Sequence, residues 1–368
     1  MNLRWSFVLL LWLLMHAVVR AEMVTDLYTA QTPVVGQGTE ALAGGQREAF
    51  AKVLIKVSGD RGLPDKSAMA KELNQANRYV QRYSYRALEV EADSQASEEA
   101  PDRLLQVQFD EAAVNHLLLS KGAPVWGNVR PLVLIWLGIE RGGRRSLFQS
   151  ELEPDLGEAL EQVADTRGLP ILFPLMDLED RGMLQVSDVW GGFEQAIRRA
   201  SERYLPDLIL VGRLHQRGGS DWQADWSLYQ ADAVKDWRTQ GRTLQGVATE
   251  GLQQMVDKLA ARYAPRTVAQ ADTSLRVRVE GLNRLADYLL VKDYLASLDT
   301  IQSLDLLSAL PNEVSFLVRV QGNRETLSRG IMLGHVLEPV STQEAGIDAG
   351  KGPVNELDEQ SLVYRLRQ

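Results

Sequence analysis

A mixed α/β and α+β fold in three units is what the sequence predicts, and three stretches carry the prediction. Residues 130–138 and 207–214 are continuous apolar runs, the pattern of strands buried on both faces of a sheet. Two helical patterns and the short run 171–173 lie between them, giving β-α-β-α-β, a central sheet with crossover helices. Residues 274–340 read as β-α-β-β-α-β, the ferredoxin-like order.

The first unit spans residues 22–122 and is α+β. A strand within 24–35 ends at Pro33 and the turn residues Gly36 and Gly38. The next helix starts at Thr39 or at the Gly44-Gly45 pair; Ala49, Val53 and Val57 recur at helical spacing, and Ser58-Gly59 stops it. Ser67 is expected to cap a second helix to residue 76. Segments 79–90 and 103–109 are strand-like, joined by an acidic linker over 91–102 that carries Pro101. Asp110 then caps a helix through residue 119.

The central unit, 126–264, continues after its first strand with a basic loop, Arg141-Gly142-Gly143-Arg144-Arg145. Pro154 stands near the start of a helix to residue 166, where its missing N–H costs nothing. A second helix is expected over 189–204. Residues 222–228 alternate with period two, as in a half-exposed antiparallel strand, with 234–240 as its partner. A helix over 244–263 covers one sheet face through Val247, Leu252, Met255, Val256 and Leu259. The last unit, 272–368, follows a polar link at 266–272. Its expected elements are strand 274–279, helix 282–298, strands 301–307 and 313–320, helix 324–332 and strand 335–340. A Gly-, Asp- and Glu-rich stretch over 342–360 precedes residues 362–366, expected as an edge strand.

Composition bounds the rest. Of 368 residues, 45% are hydrophobic and 24% charged, the balance of a folded globular protein. A net charge of −9 with no Lys/Arg-rich run argues against nucleic-acid partners. Arg4 and the almost wholly apolar residues 5–15, followed by Val19-Arg20-Ala21, read as a secretory leader cut after Ala21. The competing reading is an uncleaved anchor, but the apolar stretch is shorter than the roughly 20 residues a span needs, and no later segment is long enough. With no cysteine, disulfides, thiolate nucleophiles and thiolate metal sites are all excluded.

Few stretches announce chemistry. Gly36-Gln37-Gly38-Thr39-Glu40-Ala41 nominally fits a dinucleotide fingerprint, but nothing after it supplies the strand that would carry an acidic residue; a turn with a helix cap is the better account. His116, His215 and His335 lack the paired spacing of a zinc helix. Asp188, Asp207 and Asp225 stand near element ends, where carboxylates cap or meet as acid–base pairs. No G-x-S-x-G, S-x-x-K or Walker A run occurs. The Arg141, Arg144 and Arg145 loop and the run Arg213-Leu214-His215 both follow strands of the central sheet. They would share its C-terminal edge as an anion-binding mouth if those strands are parallel; otherwise they are exposed loops. Trp190, Trp222, Trp226 and Trp237 are candidates for a partner surface or for sheet packing.

The leader, residues 28–38, residues 49–59 ending in Val-Ser-Gly, and the runs 126–138 and 206–212 resemble the proteobacterial exported proteins grouped as domain of unknown function 2066. The resemblance covers most of the chain after the leader, and its motifs are structural. It implies the periplasm of a Gram-negative bacterium; it brings no activity, so no functional residue is carried over. The expectation is a non-enzymatic binding or assembly factor with a cell-envelope protein partner and no cofactor. The alternatives are a periplasmic hydrolase and a small-anion-binding protein using Arg141, Arg144, Arg145, Arg213 and His215.

Overall fold

In the computed structural model, the structure describes residues 24, 26–88, 100–218, 221–230, 233–264, 273–298, 300–320, 323–334, 336–340 and 361–367. The expected leader, most of the acidic linker, the polar link 266–272, His335 and the stretch 342–360 lie outside the described residues. Three sheets with helices packed on them make a mixed α/β architecture.

The first sheet has the order β1-β3-β2, all antiparallel: β1 is Thr29–Val34, β2 Val80–Ala87 and β3 Arg103–Phe109. Helix α1, Thr39–Ser58, runs through both central glycines and buries Ala49, Phe50, Val53, Leu54 and Val57 against it. Because β1 pairs antiparallel with β3, the Gly36-x-Gly38 turn opens no parallel βαβ unit. Instead Gly38 is the N-cap of α1, and the Gly36 N–H donates to Asp102 Oδ1 at 2.6 Å. Helix α2 is Ser67–Asn74. Lys66, not Ser67, holds its N-cap position and makes no side-chain cap, so the expected serine cap does not form. Asp110 does cap α3, Glu111–Ser120, accepting from the Ala113 N–H at 2.7 Å.

The central sheet has the order β5-β4-β7-β8-β9, with β6 beside β4. Strands β4 (Val133–Arg141), β6 (Ile171–Leu172) and β7 (Leu208–Gly218) are parallel, as the apolar runs predict. Strands β8 (Asp221–Tyr229) and β9 (Val234–Gly241) extend the sheet antiparallel. One face buries Ile135, Leu210, Ala224 and Leu228 under α4, Pro154–Arg167, and the 20-residue helix α8, Leu244–Tyr263. On the opposite face an unexpected short helix, α5 (Leu178–Met183), comes first, and the single helix expected over 189–204 is divided between α6 (Val186–Gly191) and α7 (Glu194–Ser201). Gly192 breaks the run in the left-handed region, φ 66°, and Phe193 restarts it. The expected basic loop is a hairpin: Arg144 and Arg145 lie in β5, Arg144–Leu147, paired with β4. Nor do Arg213 and His215 follow their strand; β7 continues through both to Gly218 because β8 pairs along its whole length.

The third sheet has the order β11-β12-β10-β14-β13. Strand β10 (Thr273–Leu282), α9 (Leu285–Ala296), β11 (Ile301–Leu310), β12 (Asn312–Val320), α10 (Arg324–Leu333) and β13 (Leu337–Pro339) follow the ferredoxin-like element order. The sheet departs from that arrangement at one place. Strand β14, Ser361–Leu366, is not an edge strand: it runs parallel to β10 and antiparallel to β13, wedged between them. Its apolar positions explain this, since Leu362, Tyr364 and Leu366 all enter the core that α9 and α10 cover.

Two buried arginines join the first sheet's helix to the central layer. Arg130 donates to the carbonyls of Trp126, Lys56 and Arg167 at 2.7 Å each, of Gly127 at 2.8 Å and of Gly168 at 2.9 Å, with its guanidinium 4.4 Å over the Trp126 ring. Arg167 donates to the Gly59 carbonyl at 2.8 Å and to Asp257 Oδ1 at 2.6 Å, and also meets Gln253. Gly59 has φ 67°, and a methyl there would lie 2.6 Å from Ala260 and 2.9 Å from Trp126, so both its conformation and its crowding require glycine.

Candidate functional site

The site begins with Gly138, in the middle of β4. A methyl at Gly138 would lie 3.0 Å from the Trp190 ring and 3.2 Å from Val189, so the bare backbone seats α6 on the sheet. The α6 helix ends at the left-handed Gly192, and beside it the sheet face opens into a cleft of about 730 Å³. Glu140, Arg145, Trp190, Arg213, His215, Asp225, Asp236 and Arg238 line it, and Trp226 and Trp237 also reach its wall.

Strand register puts these groups in rows. Gly138, Arg213, Asp225 and Arg238 lie side by side across β4, β7, β8 and β9; Glu140, His215, Gln223 and Gln240 form the next row, and Trp136, Val211, Ser227 and Asp236 the one before. Residues directly opposite share a face, and rows two residues apart lie on the same one, so all three rows look onto one surface. Their charges are engaged with one another. Arg238 Nε donates to Asp225 Oδ1 at 2.6 Å, Arg145 Nε to Glu140 Oε2 at 2.6 Å, and Ser227 Oγ to Asp236 Oδ1 at 2.6 Å. Arg145 also stacks over the Trp190 ring at 4.4 Å. Arg213 gives one Nη to Ser227 Oγ at 3.1 Å, while its buried Nε has no hydrogen-bond partner among the described residues.

Of the five residues expected to hold an anion, the structure brings together Arg145, Arg213 and His215. It leaves Arg141 and Arg144 outside the cleft, and strand alternation explains why: in β5 the neighbours Arg144 and Arg145 point to opposite faces. Arg141 instead makes two hydrogen bonds to Glu153, at 3.0 and 2.6 Å, with its guanidinium 5.9 Å from the Trp222 ring. The three candidate aspartates do not converge. Asp188 accepts from the Gln185 N–H and Asp207 from the Leu132 N–H, and only Asp225 enters the cleft. His116 is exposed on α3. Trp226 and Trp237 are sheet-packing residues, their rings stacked at 6.1 Å, with Trp226 Nε1 donating to Thr239 Oγ1 at 2.9 Å.

Sequence reasoning missed Glu140, Asp236 and Arg238. Their signal is the period-two spacing of Asp236 and Arg238, which matches that of Ser227 and Asp225 on the facing strand. No group of three or more metal-ligating side chains occurs among the described residues, and no helix among them is long and apolar enough to cross a membrane.

Residues 21–127 match a protein family described as a domain of unknown function (DUF8605). The match covers the first sheet and its helices and stops before β4, so the cleft lies outside it. No curated protein matches the chain. The chain therefore carries an uncharacterised domain joined to a central sheet with an open polar cleft.

Proposed function

We propose that this is an exported periplasmic protein of a Gram-negative cell envelope that binds or assembles envelope components without catalysing a reaction. The leader-like pattern of residues 1–21, with a cut after Ala21, supports export, and the resemblance to the exported proteins of domain of unknown function 2066 supports the compartment. One observation carries the binding reading. The charged groups of the cleft are already paired on rigid strands, Arg145 with Glu140 and Arg238 with Asp225. Such a surface offers matched charge and an aromatic wall to a partner segment, and it fixes register and specificity. Glu140, Asp225 and Asp236 each accept a hydrogen bond from a neighbouring side chain, which supports a surface of matched pairs.

The test is photo-crosslinking in cells, with the crosslinking residue at Arg145 or Trp190, followed by mass spectrometry. One reproducible envelope protein captured at these positions, and lost in Arg213→Gln, supports the reading. Retention of the protein in the cytoplasmic fraction with its leader uncut refutes the export half.

A second reading rests on Arg213, whose unpartnered Nε suits a small carboxylate or phosphate. It predicts that inorganic phosphate raises the melting temperature of the wild type and not of Arg213→Gln.

A further inference from the structure

Three arginines and three carboxylates line the cleft on the central sheet, and they are not equally engaged. Arg145 and Glu140 form one ion pair at 2.6 Å, and Arg238 and Asp225 a second at 2.6 Å. Arg213 and Asp236 are left, and neither enters an ion pair among the described residues. The guanidinium of Arg213 makes one hydrogen bond there, from Nη2 to Ser227 Oγ at 3.1 Å. The carboxylate of Asp236 likewise accepts one side-chain bond, from Ser227 Oγ at 2.6 Å.

Ser227 is buried between the two charges. Its hydroxyl accepts from the arginine and gives its single proton to the aspartate, so its direction is fixed. The three residues stand on β7, β8 and β9, consecutive strands of one sheet, and backbone pairing sets their spacing. Arg213 also passes close to the end of α6, where a methyl at Gly192 would lie 3.4 Å from its Nη1. A cation and an anion thus line the open cleft one hydroxyl apart, each with bonding capacity left over. Arg213 Nε has no hydrogen-bond partner, and Asp236 Oδ2 accepts from no side chain among the described residues.

We infer that this part of the cleft binds a small zwitterion, an α-amino acid, with its carboxylate on Arg213 and its ammonium on Asp236. The inference rests on the reading of Arg213 as a group that takes a carboxylate. An α-amino acid carries its two charges on one carbon, a separation that suits a cation and an anion one hydroxyl apart. A bare anion at Arg213 has Asp236 beside it, and a bare cation at Asp236 has Arg213; a zwitterion in the reverse order answers both charges at once. Strand pairing holds the two groups in place before the ligand arrives, which lowers the ordering cost of binding. At about 730 Å³ the cleft is larger than the charged head alone, and towards His215 and Glu140 it leaves room for a side chain.

Isothermal titration of the purified protein with the standard L-amino acids, one at a time, tests the inference. Acetate, inorganic phosphate and methylammonium serve as probes carrying one sign of charge. The expected result is at least one amino acid with a dissociation constant of about 1 mM or lower, bound about tenfold or more tighter than any of those probes. Arg213→Gln and Asp236→Asn should each weaken it by about tenfold or more. Asp236 is exposed, and asparagine keeps an oxygen for the Ser227 proton, so Asp236→Asn should melt with the wild type. Acetate or phosphate bound as tightly as every amino acid, and lost in Arg213→Gln, leaves the anion reading standing and overturns this one. Amino-acid binding that survives Asp236→Asn overturns it as well. Binding of none of the probes at tens of millimolar overturns both readings.

Discussion

Arg130 Nη2 donates to the Lys56 carbonyl oxygen 2.7 Å away, in the last turn of α1, while Nη1 of the same guanidinium reaches Arg167 and Gly168 at the end of α4. Two helix C-termini, each with carbonyls that the helix itself leaves unpaired and a partial negative charge, thus converge on one buried cation. The sequence around it reads only as the proline-led entry to β4; nothing local tells that Arg130 is a joint between two layers.

Replacing Arg130 with Met leaves those buried carbonyls without donors. The expected cost is about 3 kcal/mol or more of unfolding free energy. Arg130→Lys keeps the charge and loses the planar fork, so it should fall between the two. Urea unfolding midpoints check the order.

Adjacent glycines of α1 should respond in opposite directions. A methyl at Gly44 meets nothing within 4 Å, so Gly44→Ala should stabilise by about 0.5–1 kcal/mol through the unfolded chain. A methyl at Gly45 would lie 2.6 Å from Leu105 and 2.7 Å from Val34, so Gly45→Ala should push α1 off the sheet and destabilise by about 1–3 kcal/mol. Thermal melting of the two variants decides it.

Burial, and then its hydrogen bond to Asp180, push the Tyr204 hydroxyl up to about 12. With the folded value above the ordinary one of 10.0, the folded state holds this proton where the unfolded chain releases it. The contribution is complete below about pH 10 and is lost as pH rises towards about 12. Tyr204→Phe should therefore flatten the alkaline fall in stability over that window, at a cost near neutrality of about 1 kcal/mol. Denaturant midpoints across the window test it.

Gly138→Val puts a branched side chain where the Trp190 ring sits. Trp190 should leave its seat together with the Arg145 stacked on it, at a cost of about 1–3 kcal/mol. Oxidative footprinting should show Trp190 becoming more reactive while the overall circular dichroism is kept.

What the sequence disclosed follows from which interactions are local. The runs behind β4 and β7 are continuous because both faces of these strands are buried, and α8 reads correctly at both ends because Thr243 caps it and its apolar stripe is long. Strand β5 was illegible because two arginines become a strand only by pairing with β4. The helix expected over 189–204 failed at Gly191-Gly192-Phe193, where the left-handed Gly192 outweighs the periodicity on either side. In the cleft, Arg145, Arg213 and His215 could be proposed from the chain. Glu140, Asp236 and Arg238 needed the register of strands up to a hundred residues apart.

The wedged position of β14 has a consequence for the order in which the chain is made. A nascent chain that has emerged only as far as β13 already holds every element of a ferredoxin-like sheet, with the place beside β10 vacant. The strand that finally occupies that place follows every other strand of the sheet in the chain, so this sheet reaches its final pairing only after its other strands are made. Until β14 arrives, β10 and β13 expose backbone that a holding chaperone or a neighbouring nascent chain can occupy. The last pairing of this sheet is thus governed by when β14 reaches its place rather than by the stability of the parts already formed.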